Sequence, residues 1–511
     1  MLKKIRRTFA IVFFAAVTLL FLDFTGTVHA WLGWVARIQF FPAIMAAHLG
    51  IVLILVALTF VFGRVYCSVI CPLGIFQDII SWISGRRNRK AAMRFTWSPA
   101  RKILRYGMLV LFIAAIAAGA GSIVALLEPY SAYGRMASNL FAPLWQWGNN
   151  LLAWLAERAD SYAFYSTEVW LRSIPTFIIA ALTFAIIAVL AWRHGRTYCN
   201  TVCPVGTVLG FISGFSLFRI TVDAAKCRDC GLCARHCKSS CIDIQGHRVD
   251  NSRCVACFDC LDTCRHGAIR YAFRYNKPQN DVTHMTESTA DAAGTGGKSQ
   301  DSGMSRRGFL SVAAMAAGAS ALKAQEKKVD GGLAAIEEKK IPARMTKIVP
   351  AGSLSLDNFY RHCTACQLCV SACPNQVLRP SSALDTFMQP EMSYERGYCR
   401  PECTICSEIC PAGAIHPISI EEKSSIQIGH AVWVSANCIP LTDGQECGNC
   451  ARHCPAGAIR MVRSDPGNPE SLRIPAINTE RCIGCGACEN LCPARPFSAI
   501  YVEGHQTHRE I

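Results

Sequence analysis

Cysteine spacing constrains this chain more tightly than any other feature. Its 511 residues include 29 cysteines, most of them in short repeated runs. Such gaps read as metal-ligand spacing rather than as a disulfide framework. CRDCGLCARHC at Cys227–Cys237 and CVACFDCLDTC at Cys254–Cys264 are both C-x-x-C-x-x-C-x-x-x-C. In the bacterial ferredoxin run for [4Fe–4S] clusters, three close thiolates hold three irons and the fourth Cys reaches the other cluster. One set is therefore expected to be Cys227, Cys230, Cys233 and Cys264, and the other Cys254, Cys257, Cys260 and Cys237. Lys238 and Arg265 stand where Pro usually follows the fourth Cys, and Cys241 is an extra thiol that could replace Cys237.

Four further runs follow: Cys363, Cys366, Cys369 and Cys373; Cys399, Cys403, Cys406 and Cys410; Cys438, Cys447, Cys450 and Cys454; and Cys482, Cys485, Cys488 and Cys492. Each ends in Cys-Pro. CPAGAI occurs at Cys410–Ile415 and Cys454–Ile459, echoed by CRHGAI at Cys264–Ile269. The refrain reads as a short helix carrying the fourth Cys, a Gly stop and the start of a strand. Zinc would suit any single C-x-x-C pair, but runs of this form together point to six [4Fe–4S] clusters. Nested pairing, first run with fourth and second with third, is expected in 363–492, because the irregular middle runs resemble an insertion. Sequential pairing is the alternative.

The rest of the chain is apolar. Hydrophobic residues make up 51% of the chain and charged residues 17%, which assigns part of it to a bilayer. Four stretches, about Thr8–Phe24, Pro42–Phe62, Gly107–Leu127 and Pro175–Trp192, approach the roughly 20 residues that span a membrane. A cleaved secretory signal is the competing reading of the first, although no small-residue site directly follows Leu22. Lys3, Lys4, Arg6, Arg7 and the Lys/Arg-rich loop 64–105 put the N-terminus and that loop in the cytoplasm. The net charge of +16 reads as cytoplasmic loop charge, and no nucleic-acid motif contests it.

GRVYCSVICPLG at 63–74 and GRTYCNTVCPVG at 195–206 share the pattern G-R-x-Y-C-x-x-x-C-P-x-G. Two helix hairpins ending in one motif imply an internal duplication with parallel repeats. That symmetry would gather Cys67, Cys71, Cys199 and Cys203 at the inner face. A shared metal site, one further iron–sulfur site among the choices, is favoured over two dithiol pairs.

Residues 276–303 are polar and lack hydrophobic period, as in a disordered linker. Their GTGGKS is not a phosphate loop, since Ala292 occupies the first Gly position. SRRGFLSVAAMAAGASALKA at 305–324 has the layout of a twin-arginine export signal. Thiolate-bound clusters are best assembled in reducing cytoplasm and exported folded. The expected fold is multidomain. An all-α four-helix membrane domain covers 1–206, and a cytoplasmic α+β ferredoxin-like domain with two [4Fe–4S] clusters covers 207–275. The linker at 276–303 and the signal or anchor at 304–324 precede a four-cluster ferredoxin-like domain at 325–511.

With its paired motifs and two-cluster tail, 1–275 resembles the NapH-type membrane ferredoxins. With its Arg-Arg signal and four cluster runs, 304–511 resembles the NapG/MauM-type exported ferredoxins. The resemblance implies a quinol dehydrogenase component of the bacterial inner membrane, with its last domain periplasmic. Electrons would pass from quinol through the clusters to a periplasmic reductase or its cytochrome partner. Asp23, His48 and Glu128, near the outer ends of their helices, are the quinol-site candidates. An accessory factor supplying electrons during metalloenzyme assembly is the competing class. No C-x-x-C-H and no strand-borne G-x-G-x-x-G occur, so covalent haem, NAD and FAD are not expected. One electron hop cannot cross a bilayer core of roughly 30 Å, so quinone or another subunit is expected to bridge the inner and outer clusters.

Overall fold

The computed structural model describes residues 1–23, 26–87, 95–275, 329–330, 334–335 and 337–511. The proposed linker and the Arg-Arg signal lie outside the described residues, as do Arg89, Lys90 and Arg94 of the basic loop. Besides the helix Ala142–Arg158, six longer helices frame the N-terminal part: α1 (Leu2–Leu22), α2 (Leu49–Phe62), α3 (Pro72–Arg87), α4 (Lys102–Ala117), α5 (Ile174–His194) and α6 (Pro204–Ser213). Leu, Ile, Ala and Phe dominate them, so helix formation and burial in an apolar medium favour the same residues.

Of the four expected spans, two are helices long and apolar enough to cross a membrane. These are α1 and α5, at 21 residues each, or about 30 Å. The other two are broken. The expected span Pro42–Phe62 ends its first helix, Phe40–Met45, at Ala47 (φ 53°), and Gly107–Leu127 is interrupted at Gly119 (φ 70°). In both breaks the residue after the left-handed one donates five residues back, His48 to Ala43 and Ala120 to Ala115. That is the Schellman closure, which satisfies the last carbonyls of a helix. α2 and α4 are consequently 14 and 16 residues long.

Many large apolar side chains on these helices face outward. Leu53 is 66% exposed, Val110 65% and Ile186 58%. An outward belt of this kind belongs against an apolar medium or a partner rather than water.

α6 packs on α2 and α4, so helical packing continues past residue 206 and turns toward the next domain at Gly214–Leu217. There Phe218–Val222 pairs antiparallel with Ile269–Phe273 and brackets the first two Cys runs. The same device recurs where Ile426–Trp433 pairs antiparallel with Ile500–Glu510 around the last two runs. Between runs one and two lies only the short hairpin Leu378–Pro380/Pro390–Met392.

The cluster domains occupy opposite ends of the helices. At the basic end, where α1 begins and α2 and α5 finish, Phe62 stacks on Phe218 and Lys3 meets Asp259 and Asp262. The Arg196 backbone N–H donates to Lys238 O at the same end. At the other end, where α1 finishes, Gly134 sits against Phe21 and Cys366 O. Ser138 and Ser371 hydroxyls meet at 2.8 Å, and Asn139 donates to Gln367 at 2.8 Å.

Asp78, near the basic end of α3, accepts from Arg6 at 3.1 Å and from Arg196 at 3.0 and 2.8 Å, and pairs with Lys238 at 3.5 Å. Asp78→Ala should cost about 3–5 kcal/mol, because it strands buried cations. It should lower the melting temperature in detergent and speed chymotryptic cleavage after Phe215, an exposed residue between α6 and the Phe218 strand. Unchanged melting and cleavage would exclude Asp78 as the link between these parts.

Candidate iron–sulfur centres

In the 218–273 domain the structure brings the thiols together in two groups. Cys227, Cys230, Cys233 and Cys264 line one cavity, with Ile242 and Ile269 as apolar walls. Cys237, Cys254, Cys257 and Cys260 line another, and Cys241 lines it too. The Cys237 and Cys241 sulfurs stand 3.5 Å apart, with Cys241 1% exposed. Both thiols are thus placed to serve as the fourth ligand, and the alternative raised by the extra cysteine stands.

In 363–492 the geometry corrects the nested expectation. Cys410 lies beside Cys363, Cys366 and Cys369, while Cys373 shares a cavity with Cys399, Cys403 and Cys406. Cys492 faces Cys438, Cys447 and Cys450, and Cys454 shares a cavity with Cys482, Cys485 and Cys488. The pairing is sequential, first run with second and third with fourth. The reason is the strand bracket: Ile426–Trp433 and Ile500–Glu510 close around runs three and four as one unit, leaving runs one and two to each other.

Two lysines not singled out by spacing sit against these thiol sets. Lys339 Nζ donates to the carbonyls of Glu489, Asn490 and Cys492 at 2.6, 2.8 and 2.9 Å. Burial pulls its ammonium down to about 8. Lys423 Nζ donates to Arg400 O at 2.6 Å and to Cys403 O.

Cys67, Cys71, Cys199 and Cys203 do converge, all at most 5% exposed. They lie deeper than the expected inner face. Gly63 (φ 77°) and Gly195 (φ 66°) turn the chain back after α2 and α5, and the short helices Val65–Val69 and Thr197–Thr201 carry it into the bundle. Phe76, just over one turn past Cys71, packs on Phe184 at the middle of α5.

Each motif position has a task. Arg64 donates to Cys199 O at 3.2 Å and to Cys67 Sγ at 3.7 Å. Arg196 reciprocates, to Cys67 O at 2.7 Å and Cys199 Sγ at 4.0 Å. A Cβ on Gly74 would meet Cys67 O and Arg196, and one on Gly206 would meet Cys199 O and Arg64. Pro72 and Pro204 open α3 and α6, the position where a missing N–H costs nothing. Tyr66 OH accepts from Phe40 N and donates to Gln39, while Tyr198 OH donates to Leu127 O.

This chemistry fits an iron–sulfur group: four buried sulfurs, two guanidiniums facing them, and Gln77 and Gly206 N–H donating to Cys199 and Cys203 at 3.2 and 3.3 Å. Hydrogen bonds and cations around thiolates are what set such centres.

The quinol candidates have separate surroundings. Asp23 accepts from the backbone of Gly26, Val28 and His29 and pairs with His29 Nδ1 at 2.9 Å. Glu128, 1% exposed, caps the helix Pro129–Met136 by accepting from Tyr130 N and Ser131 N. His48 is exposed at the start of α2.

Comparison with known proteins agrees with this chemistry. A family described as a 4Fe-4S binding domain matches residues 45–90 and 175–222, and one described as a 4Fe-4S dicluster domain matches 445–495. The ferredoxin-type protein NapH of Haemophilus influenzae is 28% identical over 42% of this chain and 64% of its own length. The methylamine utilization ferredoxin-type protein MauM of Methylophilus methylotrophus is 32% identical over 30% of this chain and 69% of its own. Over that part, the chain belongs to the MauM family of ferredoxin-type proteins. The ferredoxin-type protein NapF of Escherichia coli is also similar, 26% identical over 31% of the chain and 87% of NapF. The chain spans between 39% and 64% of the first curated relatives it matches. No solved structure matches. Ferredoxin-type 4Fe-4S matches thus fall on both parts of the chain, and the dicluster match at 445–495 takes in the fourth run and Cys447, Cys450 and Cys454 of the third.

Sequential pairing has a sharp consequence for iron content. Cys363→Ser and Cys410→Ser should each remove one cluster, about four irons, and the double variant should remove no more than either alone. A double variant missing about eight irons would mean that the two thiols serve different clusters.

Proposed function

We propose that this protein is a membrane-bound electron carrier that takes electrons from quinol and delivers them, through its [4Fe–4S] clusters, to an acceptor on the far side of the membrane. The observation that carries this reading is the distribution of thiol sets. Two lie at the basic end of a helix bundle about 30 Å tall and four at the other, with an apolar belt between. Positive charge collects on cytoplasmic segments, so the basic end is the inner one and the 337–511 domain faces the periplasm. Export of that domain in folded form is the task assigned to the Arg-Arg segment. The resemblance to NapH-type proteins supplies quinol as donor and a periplasmic reductase or its cytochrome partner as acceptor.

Quinol oxidation releases two electrons and two protons, whereas each cluster accepts one electron, so two centres or two turnovers are needed per quinol. Of the three candidates, Glu128 is the buried carboxylate that lies among Tyr66, Tyr198 and Cys366. It is the group placed to hold a proton beside a cluster ligand.

The purified holoprotein should lose its cluster absorbance when anaerobic quinol is added in detergent, and Glu128→Gln should slow this at least about tenfold, in the range typical of a lost proton acceptor. Clusters that dithionite reduces but quinol does not would sink the quinol assignment and leave the carrier role standing. Intact spheroplasts should expose a C-terminal epitope to added protease. A fully protected epitope would reverse the proposed orientation.

A further inference from the structure

Cluster domains at the two ends of a helix bundle need something between them, and the bundle supplies it. Cys67, Cys71, Cys199 and Cys203 belong to one continuous buried core that also contains Val255 and Cys366, with Cys257 and Cys369 packed against it. Cys257 belongs to the basic-end thiol sets and Cys366 and Cys369 to the opposite ones. The four-sulfur site therefore touches both domains through a single packed interior.

Each side of the site carries charge suited to a negative centre. Toward the basic end, Arg64 faces Cys67 Sγ and also donates to Ser252 O, two residues before Cys254. Toward the other end lies Arg135. It is 0% exposed, and none of its three guanidinium nitrogens has a hydrogen-bond partner among the described residues. Its electrostatic neighbours are Glu128, Tyr198 of the second motif, and Cys366. A buried cation without hydrogen bonds is costly, and one carboxylate already engaged by two backbone N–H groups does not satisfy it. Anionic iron–sulfur centres on its two sides would.

We propose that Cys67, Cys71, Cys199 and Cys203 hold one iron–sulfur cluster that relays electrons between the cluster domains at the two ends of the bundle, with Arg135 as a positioning residue on its path to Cys366. The step is a single-electron exchange: one centre is oxidised by one electron as its neighbour is reduced by one, with no bond made or broken. This rests on the electron-carrier reading above. It removes the need for a second protein or a diffusing quinone to connect the two ends.

The test uses the full-length holoprotein and has two arms. Iron analysis of anaerobically purified protein should exceed the roughly 24 irons of six cubanes by about four, or by about two for a [2Fe–2S] centre. Cys71→Ser/Cys203→Ser should remove that excess and the matching paramagnetic signal. An iron content near 24 that the variant leaves unchanged, or stoichiometric zinc in its place, overturns the proposal. The carrier reading would survive that result, since the six ferredoxin-type sets remain.

In the second arm, dithionite is added outside sealed, uniformly oriented vesicles. It should reduce clusters at both ends of the wild type and only the facing ones in the double variant. Transmission that persists in the variant overturns the relay, and a wild type reduced on one side only overturns transmembrane transfer altogether. Should the double variant fail to fold, Arg135→Gln keeps all the thiols. It should lower the midpoint potential of the extra signal or of the Cys366 cluster, and Arg135→Lys should restore it. Potentials that do not move in Arg135→Gln remove Arg135 from the path.

Discussion

Two buried guanidiniums exchanged between repeats hold the centre of this molecule together. Arg64 leaves the end of α2 and donates to Cys199 O and Asn200 in the second repeat. Arg196 leaves the end of α5 and donates to Cys67 O in the first. Both side chains are 0% exposed, so each must recover a large desolvation cost from its partners. Arg196 does so through Asp78. Among the described residues the hydrogen-bond acceptors of Arg64 are carbonyls, an amide and a thiol. Thiolates would complete that set, and they are the form of Cys that binds metal. The glycines at positions 74 and 206 exist for the same contact, since a methyl there would strike both the guanidinium and the carbonyl it binds.

The two ends of the bundle solve docking differently. At the basic end Lys3, Arg6, Arg196 and Lys238 share Asp78 and Asp259, a charged network in which one residue removed strands several. The opposite seam has a close-packed centre of neutral contacts, Ser138 with Ser371, Asn139 with Gln367, and Gly134 against Cys366, with the Arg396–Glu168 pair at 3.5 Å and the Arg37 bond to Glu408 O nearer its exposed edge. Neutral hydrogen bonds cost less to bury than ions. Beside Cys366 lie the charges of Glu128 and Arg135, and those two shape the local field.

The cysteine runs were legible because cluster ligation is local: in the four regular runs the first three cysteines lie within seven residues, and only the fourth ligand is remote. Pairing in 363–492 was not legible, since every run offers the same remote Cys-Pro and the choice is made by strands that pair across more than sixty residues, Trp433 with Ile500. The broken spans escaped notice for a different reason. Ala47 adopts a left-handed conformation with no Gly or Pro to announce it, and Gly119 sits in an Ala-rich run that reads as helix. The repeated twelve-residue motif did disclose the convergence of Cys67, Cys71, Cys199 and Cys203. It could not disclose their depth, which follows from Gly63 and Gly195 turning the chain inward and from Tyr66 and Tyr198 reaching the Gln39–Phe40 and Leu127–Glu128 segments.

The net charge of +16 acquires a second meaning from these placements. Read along the chain, it is loop charge that fixes orientation. In three dimensions a share of it is internal: Arg64, Arg135 and Arg196 are fully buried and Lys423 is 7% exposed, each beside a set of sulfurs. Burying a cation is unfavourable unless an anion is buried with it, and the described carboxylates near these groups, Asp78 and Glu128, are fewer than the cations. Four thiolates around iron at each proposed site would carry the missing negative charge. The buried guanidinium and ammonium groups are the electrostatic complement such centres require, which gives a reason for the share of basic residues that lies inside.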